Sequence, residues 1–264
     1  MIDIGVNLTN KRFDKDREEV ISRAKAIGVE NLFITGTSVN DSLAAIELID
    51  NYKTLFPNFL YSTAGIHPHY ADNVDVDYLS EIKKMIEQPE VIAIGECGLD
   101  FNRNFSKPEQ QINVFNEQIQ LASDLSMPLF LHQRDAFDTW FKLLEPYLNK
   151  VPAIITHCFT GNREELKHCI KAGMYIGITG WICDEKRGKD LQEIVKLIPK
   201  NRLLVETDAP YLTPKKIIPK PKNGRNEPIY LPYIIEKIAN IVGENPQDLA
   251  YQTSKNSRTA FNLK

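Results

Sequence analysis

The sequence predicts an α/β fold: a TIM-type (β/α)8 barrel. Three observations predict it. Eight short β-rich runs alternate with amphipathic stretches along 264 residues, an order that builds a parallel sheet with helices outside it. The runner-up, an open doubly wound sheet, would show a Gly-rich phosphate turn after its first strand, and "NLTNKRF" is not one. No low-complexity linker or composition break divides the chain, so residues 1–264 read as one domain.

The first strand is "IDIGVN" (2–7). Ile2, Ile4, Val6 and Leu8 fall on one face, and Asp3, Gly5 and Asn7 on the other. That second face is small and polar, where a buried strand normally carries apolar bulk. A helical stretch, "DREEVISRAKAIG", ends at Gly28. Then come "NLFITGT" (31–37), the helix "NDSLAAIELIDNY", the strand "FLYSTAGI" (59–66) and the helix "VDYLSEIKKMIE". The fourth strand is "VIAIGECG" (91–98). Its helix, "PEQQINVFNEQIQLASDLS", opens on Pro108 and early acids, as a helix N-terminus should. "PLFLHQ" (128–133) and "AIITHCF" (153–159) are the next strands. Gly173 ends a helix before "MYIGITG" (174–180), and "RLLVETDA" (202–209) is the eighth strand. A Pro-rich loop follows, then two closing helices, "PIYLPYIIEKIANIVG" and "PQDLAYQTSKNSRTAFN".

Composition narrows the setting. A net charge of −3 and a pI of about 6.0 argue against coating nucleic acid by bulk charge, while leaving room for a local basic patch. The four cysteines, Cys97, Cys158, Cys169 and Cys183, contain no C-x-x-C pair and read as reduced core thiols. There is no basic-plus-apolar leader, and no apolar run reaches the roughly 18 residues of a membrane span. These features predict a cytoplasmic protein, and the lack of coiled-coil or repeat signals makes a monomer the expectation.

The chemistry-bearing residues gather where strands end. His67 and His69 follow strand three, Glu96 and Asp100 end strand four, His132 and Arg134 end strand five, His157 ends strand six, and Glu206 and Asp208 end strand eight. In a barrel those ends share one mouth, where active sites are built. Glu96, His132, His157 and Asp208 form a nitrogen and oxygen donor set without thiolate, which suits Mg²⁺, Mn²⁺ or Zn²⁺. Cys97 and Cys158 adjoin candidate ligands, so strand alternation turns both thiols toward the helix layer.

The motifs "GECGLDF", "LHQRD", "HCFTG", "YIGITG" and "ETDAPYL", in this order, resemble those of the TatD family of metal-dependent deoxyribonucleases. The resemblance runs from "DIGVNLT" to "RNEP", and "AIGECGLDFNRNFS" and "ITGWICDEKRG" bring it closest to the family's bacterial branch. It implies a metal-dependent hydrolase barrel that cleaves phosphodiesters, acting 3′→5′ on single-stranded DNA and RNA with Mg²⁺. Most members carry Asp-x-His-x-His on the first strand, and those histidines align with Gly5 and Asn7. The resemblance therefore implies one complete metal site, Glu96, His132 and His157, and one depleted site near Asp208.

In that scheme Asp208 is the general base, and His67 contacts the phosphate or leaving oxygen. Glu206 reads as an interior barrel residue. The loop "TPKKIIPKPKNGRNEP" holds Lys215, Lys216, Lys220, Lys222 and Arg225 with no acid before Glu227. Lys220, Lys222 and Arg225, with Arg134, are candidates for tracking a phosphate backbone, and a solvated loop is the alternative. Trp181 leads the aromatics that could stack bases, ahead of Phe101 and Tyr211. Two rival readings share the barrel: a small-molecule metallohydrolase (amidohydrolase or phosphoesterase), and a silent binding protein.

Overall fold

The computed structural model describes every residue except Lys216, Pro219 and Lys264, and leaves the Lys222 side chain aside. Eight strands lie in sequence order in one sheet: β1 (Ile2–Val6), β2 (Asn31–Ile34), β3 (Leu60–Ala64), β4 (Val91–Asp100), β5 (Leu129–Arg134), β6 (Ile154–Thr156), β7 (Tyr175–Ile178) and β8 (Leu203–Val205). The pairs are parallel, and a bridge between Val6 and Ala209 brings the first strand beside the segment after the last. The result is a nearly closed barrel, as expected.

The helices that alternate with the strands are α1 (Arg17–Ala26), α2 (Val39–Tyr52), α3 (Tyr78–Ile86), α4 (Pro108–Leu125), α5 (Phe137–Leu144), α6 (Arg163–Lys171) and α7 (Lys189–Ile194). Two more, α8 (Leu231–Val242) and α9 (Pro246–Ala260), follow β8. Their ends have local causes. Ser38 accepts the Asp41 amide at the start of α2, and Asn162 with Glu165 forms a capping box on α6. Gly28 and Gly173 sit at φ +88° and +74°, the left-handed geometry that closes a helix.

Backbone contacts divide the chain into two compact units. One comprises residues 1–34, 158–259 and 263–264, and holds β1, β2, β7 and β8. The other comprises residues 35–157 and 260–262, and holds β3 to β6. In the second unit, Ala64, Ile66, Tyr78, Ile82, Met85, Val91 and Val114 close into one apolar cluster between β3, β4 and the helices α3 and α4.

One distortion of β4 sets the chemistry. Gly95 pairs with Phe130, but the next pairing is Cys97 with Leu131, so Glu96 is an extra residue in a bulge. Its amide leaves the ladder and donates to the Gly36 carbonyl at 2.7 Å. Gly95 and Gly98 have φ +142° and +146°, and a Cβ on either would collide with the carbonyl of Phe130 or His132. Only glycine lets β4 lie this close to β5, with Glu96 beside His132.

Candidate metal centre

Within the second unit, three imidazoles surround one carboxylate oxygen. Glu96 Oε1 lies 3.0 Å from His132 Nδ1, 3.5 Å from His67 Nε2 and 3.7 Å from His157 Nε2. A second carboxylate stands behind them: Asp100 Oδ2 is 2.7 Å from His69 Nε2 and 3.6 Å from His132 Nε2. Glu96, Asp100, His67 and His157 are all buried. The β5–β6 ladder holds His157 through its amide, which donates to the Leu131 carbonyl at 2.9 Å.

Electrostatics favour a cation here. Burial pushes the Glu96 carboxyl up, but the imidazoles of His67 and His157 and the His132 hydrogen bond outweigh it and hold the acid below the usual carboxylate range. Asp100 shows the same balance: burial opposes ionisation, and His132, His69 and the Arg103 amide overcome it. Burial alone would lower the His132 imidazole, yet Asp100 and Glu96 raise it. Two ionised carboxylates thus face a small cluster that draws positive charge to its centre.

The residues fit a divalent metal. His132 Nε2 is buried without a hydrogen bond, since 3.6 Å to Asp100 is too long for one. The donors are imidazole nitrogen and carboxylate oxygen, the set that borderline and hard divalent ions accept. Ligand atoms of His67, Glu96 and His132 lie within 4.8 Å of one another, so distance alone would include His67. Its tautomer argues otherwise. His67 Nδ1 accepts the His69 amide at 3.1 Å, which puts the proton of the neutral ring on Nε2, facing Glu96. Burial pushes the His67 pKa down to about 3 against the pull of Glu96, so the ring stays neutral at physiological pH. It is a neutral N–H donor.

Of the remaining expected residues, Arg134 lies in the second unit and Asp208, Trp181, Lys220 and Arg225 in the first. Asp208 follows β8 in left-handed geometry, φ +53°, with its amide donating to the Gly5 carbonyl at 2.8 Å. Asn7 donates its side-chain amide to Asp208 Oδ1 at 2.9 Å. Thr207 is anchored by the buried Asp3, whose carboxylate accepts the Thr207 amide at 2.8 Å and its hydroxyl at 2.5 Å. The polar face of β1 therefore points at the segment that carries Asp208. Glu206 is fully buried and accepts the Cys158 amide at 2.6 Å, an interior role as expected.

The chain matches the family model described as TatD related DNase over residues 2–262. It belongs to that family. Among its TatD relatives, a protein of Erwinia billingiae named 3′-5′ ssDNA/RNA exonuclease TatD is 51% identical over 263 residues, covering 100% of this chain and 99% of its own. A protein of the same name from Salmonella typhimurium is 49% identical with the same coverage. A solved TatD family hydrolase from Entamoeba histolytica superposes with a TM-score of 0.90 at 28% identity, covering 100% of this chain and 98% of that one. The TatD family's metal-dependent hydrolase barrel is thus the fold of this chain.

Several residues fall differently from expectation. Cys158 is only half-buried, unlike Cys97, Cys169 and Cys183. Strand alternation does not reach it, because β6 ends at Thr156 and Cys158 sits at φ +46° with its thiol 3.6 Å from Thr179 Oγ1. Arg225 is occupied: its guanidinium donates to Asp16, Glu227 and the Arg12 carbonyl and covers the Phe13 ring. Those partners make it a brace for its loop. Lys220 is exposed, and the Lys222 side chain lies outside the described residues. Arg134 is exposed at the end of β5. Trp181 is half-buried, donates its indole N–H to the Arg187 carbonyl, and carries the Arg187 guanidinium 4.6 Å above its ring. The sequence places His69 and Asp100 at strand ends but gives neither a role in the site. The available signal was period two on β4, which puts Asp100 on the Glu96 face.

Proposed function

We propose that this chain is a divalent-metal-dependent exonuclease that shortens single-stranded DNA and RNA from the 3′ end. The observation that carries the reading is the ring of His67, His132 and His157 around the buried, ionised Glu96. The relatives named 3′-5′ ssDNA/RNA exonuclease TatD supply the polarity and the substrate.

Glu96, His132 and His157 would hold the ion, Mg²⁺ in the first instance, with Mn²⁺ and Zn²⁺ also suited to the donors. When bound, a divalent ion neutralises a non-bridging phosphate oxygen and acidifies water. Asp208 takes the proton of the attacking water onto its carboxylate, whose Oδ1 accepts the Asn7 side-chain N–H that orients it. His67 offers its neutral Nε2–H to the phosphate or the leaving oxygen. Arg134, Lys220 and Lys222 are the cations we assign to the phosphate backbone, and Trp181 an aromatic that could meet bases. We read the chain as one barrel domain, because the family match is unbroken over residues 2–262. A cytoplasmic monomer is the working form we infer. The four cysteines form no disulfide, and no helix among the described residues is long and apolar enough to cross a membrane.

The test is digestion of a 5′-labelled single-stranded oligonucleotide with and without Mg²⁺, products being resolved over time. Stepwise shortening from the 3′ end that stops with chelator is the expected result. Internal cuts, or hydrolysis of small esters or amides with the strand left intact, would point to the rival metallohydrolase.

A further inference from the structure

We infer that Phe105 is a stacking platform for a nucleobase next to the scissile phosphodiester, a deepening that rests on the exonuclease reading above. Phe105 is 63% exposed. A lone exposed apolar residue is ordinary; the way this one is held is not.

Both flanks of Phe105 are fastened. Asp100 Oδ1 accepts the amides of Asn102 at 3.0 Å and Arg103 at 2.8 Å. Asn104, at φ +48°, donates its side-chain amide to the Phe101 carbonyl at 2.8 Å. On the other side Ser106 is buried, donates to the His69 carbonyl at 3.0 Å and accepts the Asp72 amide at 3.0 Å. Gln111 donates to the Ser106 carbonyl at 2.8 Å. A loop tied at this many points holds its phenylalanine in solvent in one place, so little ordering entropy remains to be lost when a ligand covers it.

Phe105 is also placed against the metal centre. Its ring meets the His69 ring at 4.7 Å between centroids, 69° apart. His69 bonds Asp100, which lies 3.6 Å from His132 Nε2. One side chain therefore separates the platform from the carboxylate that backs the expected ligands. The Arg103 guanidinium lies over one face of the ring, 5.8 Å from its centroid, a positive charge on the aromatic platform that leaves the opposite face for a base. Single-strand binders use that combination: the ring takes the base, and the cation takes the backbone.

The experiment compares wild type with Phe105→Ala, Phe105→Leu and Phe105→Trp. The substrates are an intact single-stranded oligonucleotide and versions abasic at each of the last three 3′ positions. We expect Phe105→Ala to raise KM for the intact strand about 5- to 150-fold, the range that base–aromatic stacking spans, with kcat within about threefold. Phe105→Trp should restore KM. Phe105→Leu, which still shields His69, should stay impaired. One abasic position should penalise wild type but add little to Phe105→Ala, because base and ring are then removed together. Wild-type KM in Phe105→Ala or Phe105→Leu would overturn the platform, as would abasic penalties that multiply independently of the substitution. If wild type left the intact strand undigested, the exonuclease reading would fall. Digestion without a Phe105 effect would sink the platform alone.

Discussion

Glu96 shows how one residue concentrates the chemistry. The bulge in β4 frees it from the strand pairing and the glycines on either side let it sit against His132, with His67 and His157 close enough to keep it ionised. Its removal, or that of His132 or His157, deletes a donor from a set of three. Glu96→Ala, His132→Ala and His157→Ala should each lower divalent-dependent hydrolysis by at least about a hundredfold, since even outer partners of metal ligands cost ten- to a hundredfold. Circular dichroism and thermal melting should show each variant folded. Asp208→Asn separates proton transfer from metal retention: activity should fall by about 10²–10⁴, while metal content measured by elemental analysis stays at the wild-type level. Full activity in Asp208→Asn would remove it from the role of base.

At the scale of elements, β1 and the segment after β8 are tied by a buried acid. Burial pushes the Asp3 carboxyl up to about 7, although Thr207 hydrogen bonds pull it back, and Glu206 adds to the rise. Between about pH 4 and 7 the folded chain keeps a proton that the unfolded chain has released. Asp3 therefore lowers stability as pH climbs through that window, by up to about 4 kcal/mol. Urea unfolding at pH 5 and pH 8 should show a flatter pH dependence in Asp3→Asn, and an unchanged slope would deny Asp3 this part. The basic loop divides in a similar way. Lys220→Gln with Lys222→Gln should flatten the salt dependence of oligonucleotide binding, by about 0.7 in log–log slope for each phosphate that is no longer neutralised. Arg225→Gln should leave that slope alone and cost about 1–3 kcal/mol of stability, because Asp16 and Glu227 lose a partly buried partner. Much of this was legible in sequence. Strand ends marked Glu96, His132 and His157, because alternating strands and helices fix which ends carry a site. The Cys158 conformation was not legible, since β6 is three residues long and alternation lapses beyond it. The ties of Arg225 join it to Asp16, a partner 209 positions away that no local pattern reveals.

For the whole molecule the question is how many ions it retains. The unit holding β3 to β6 brings Glu96, His132 and His157, a donor set with one charge and two imidazoles. The other unit has Asp208, and where the family resemblance leads one to expect two first-strand histidines it has Gly5 and Asn7. Asn7 uses its amide N–H as a donor to the Asp208 carboxylate, so the interaction that a cation would make there is partly met by protein. Affinity grows with the number and charge of ligands, and this second set has too few to hold an ion tightly alone. Protein passed through metal-free buffer should therefore keep close to one ion per chain by elemental analysis, and activity should still rise with free Mg²⁺ or Mn²⁺ over a broad, high range as substrate oxygens complete the weaker set. Gly5→His combined with Asn7→His should move the count toward two and shift preference to Zn²⁺, because imidazole suits that ion. Two ions retained by the wild-type chain would refute the depleted site, and the Asn7–Asp208 hydrogen bond would then have to open to admit the second.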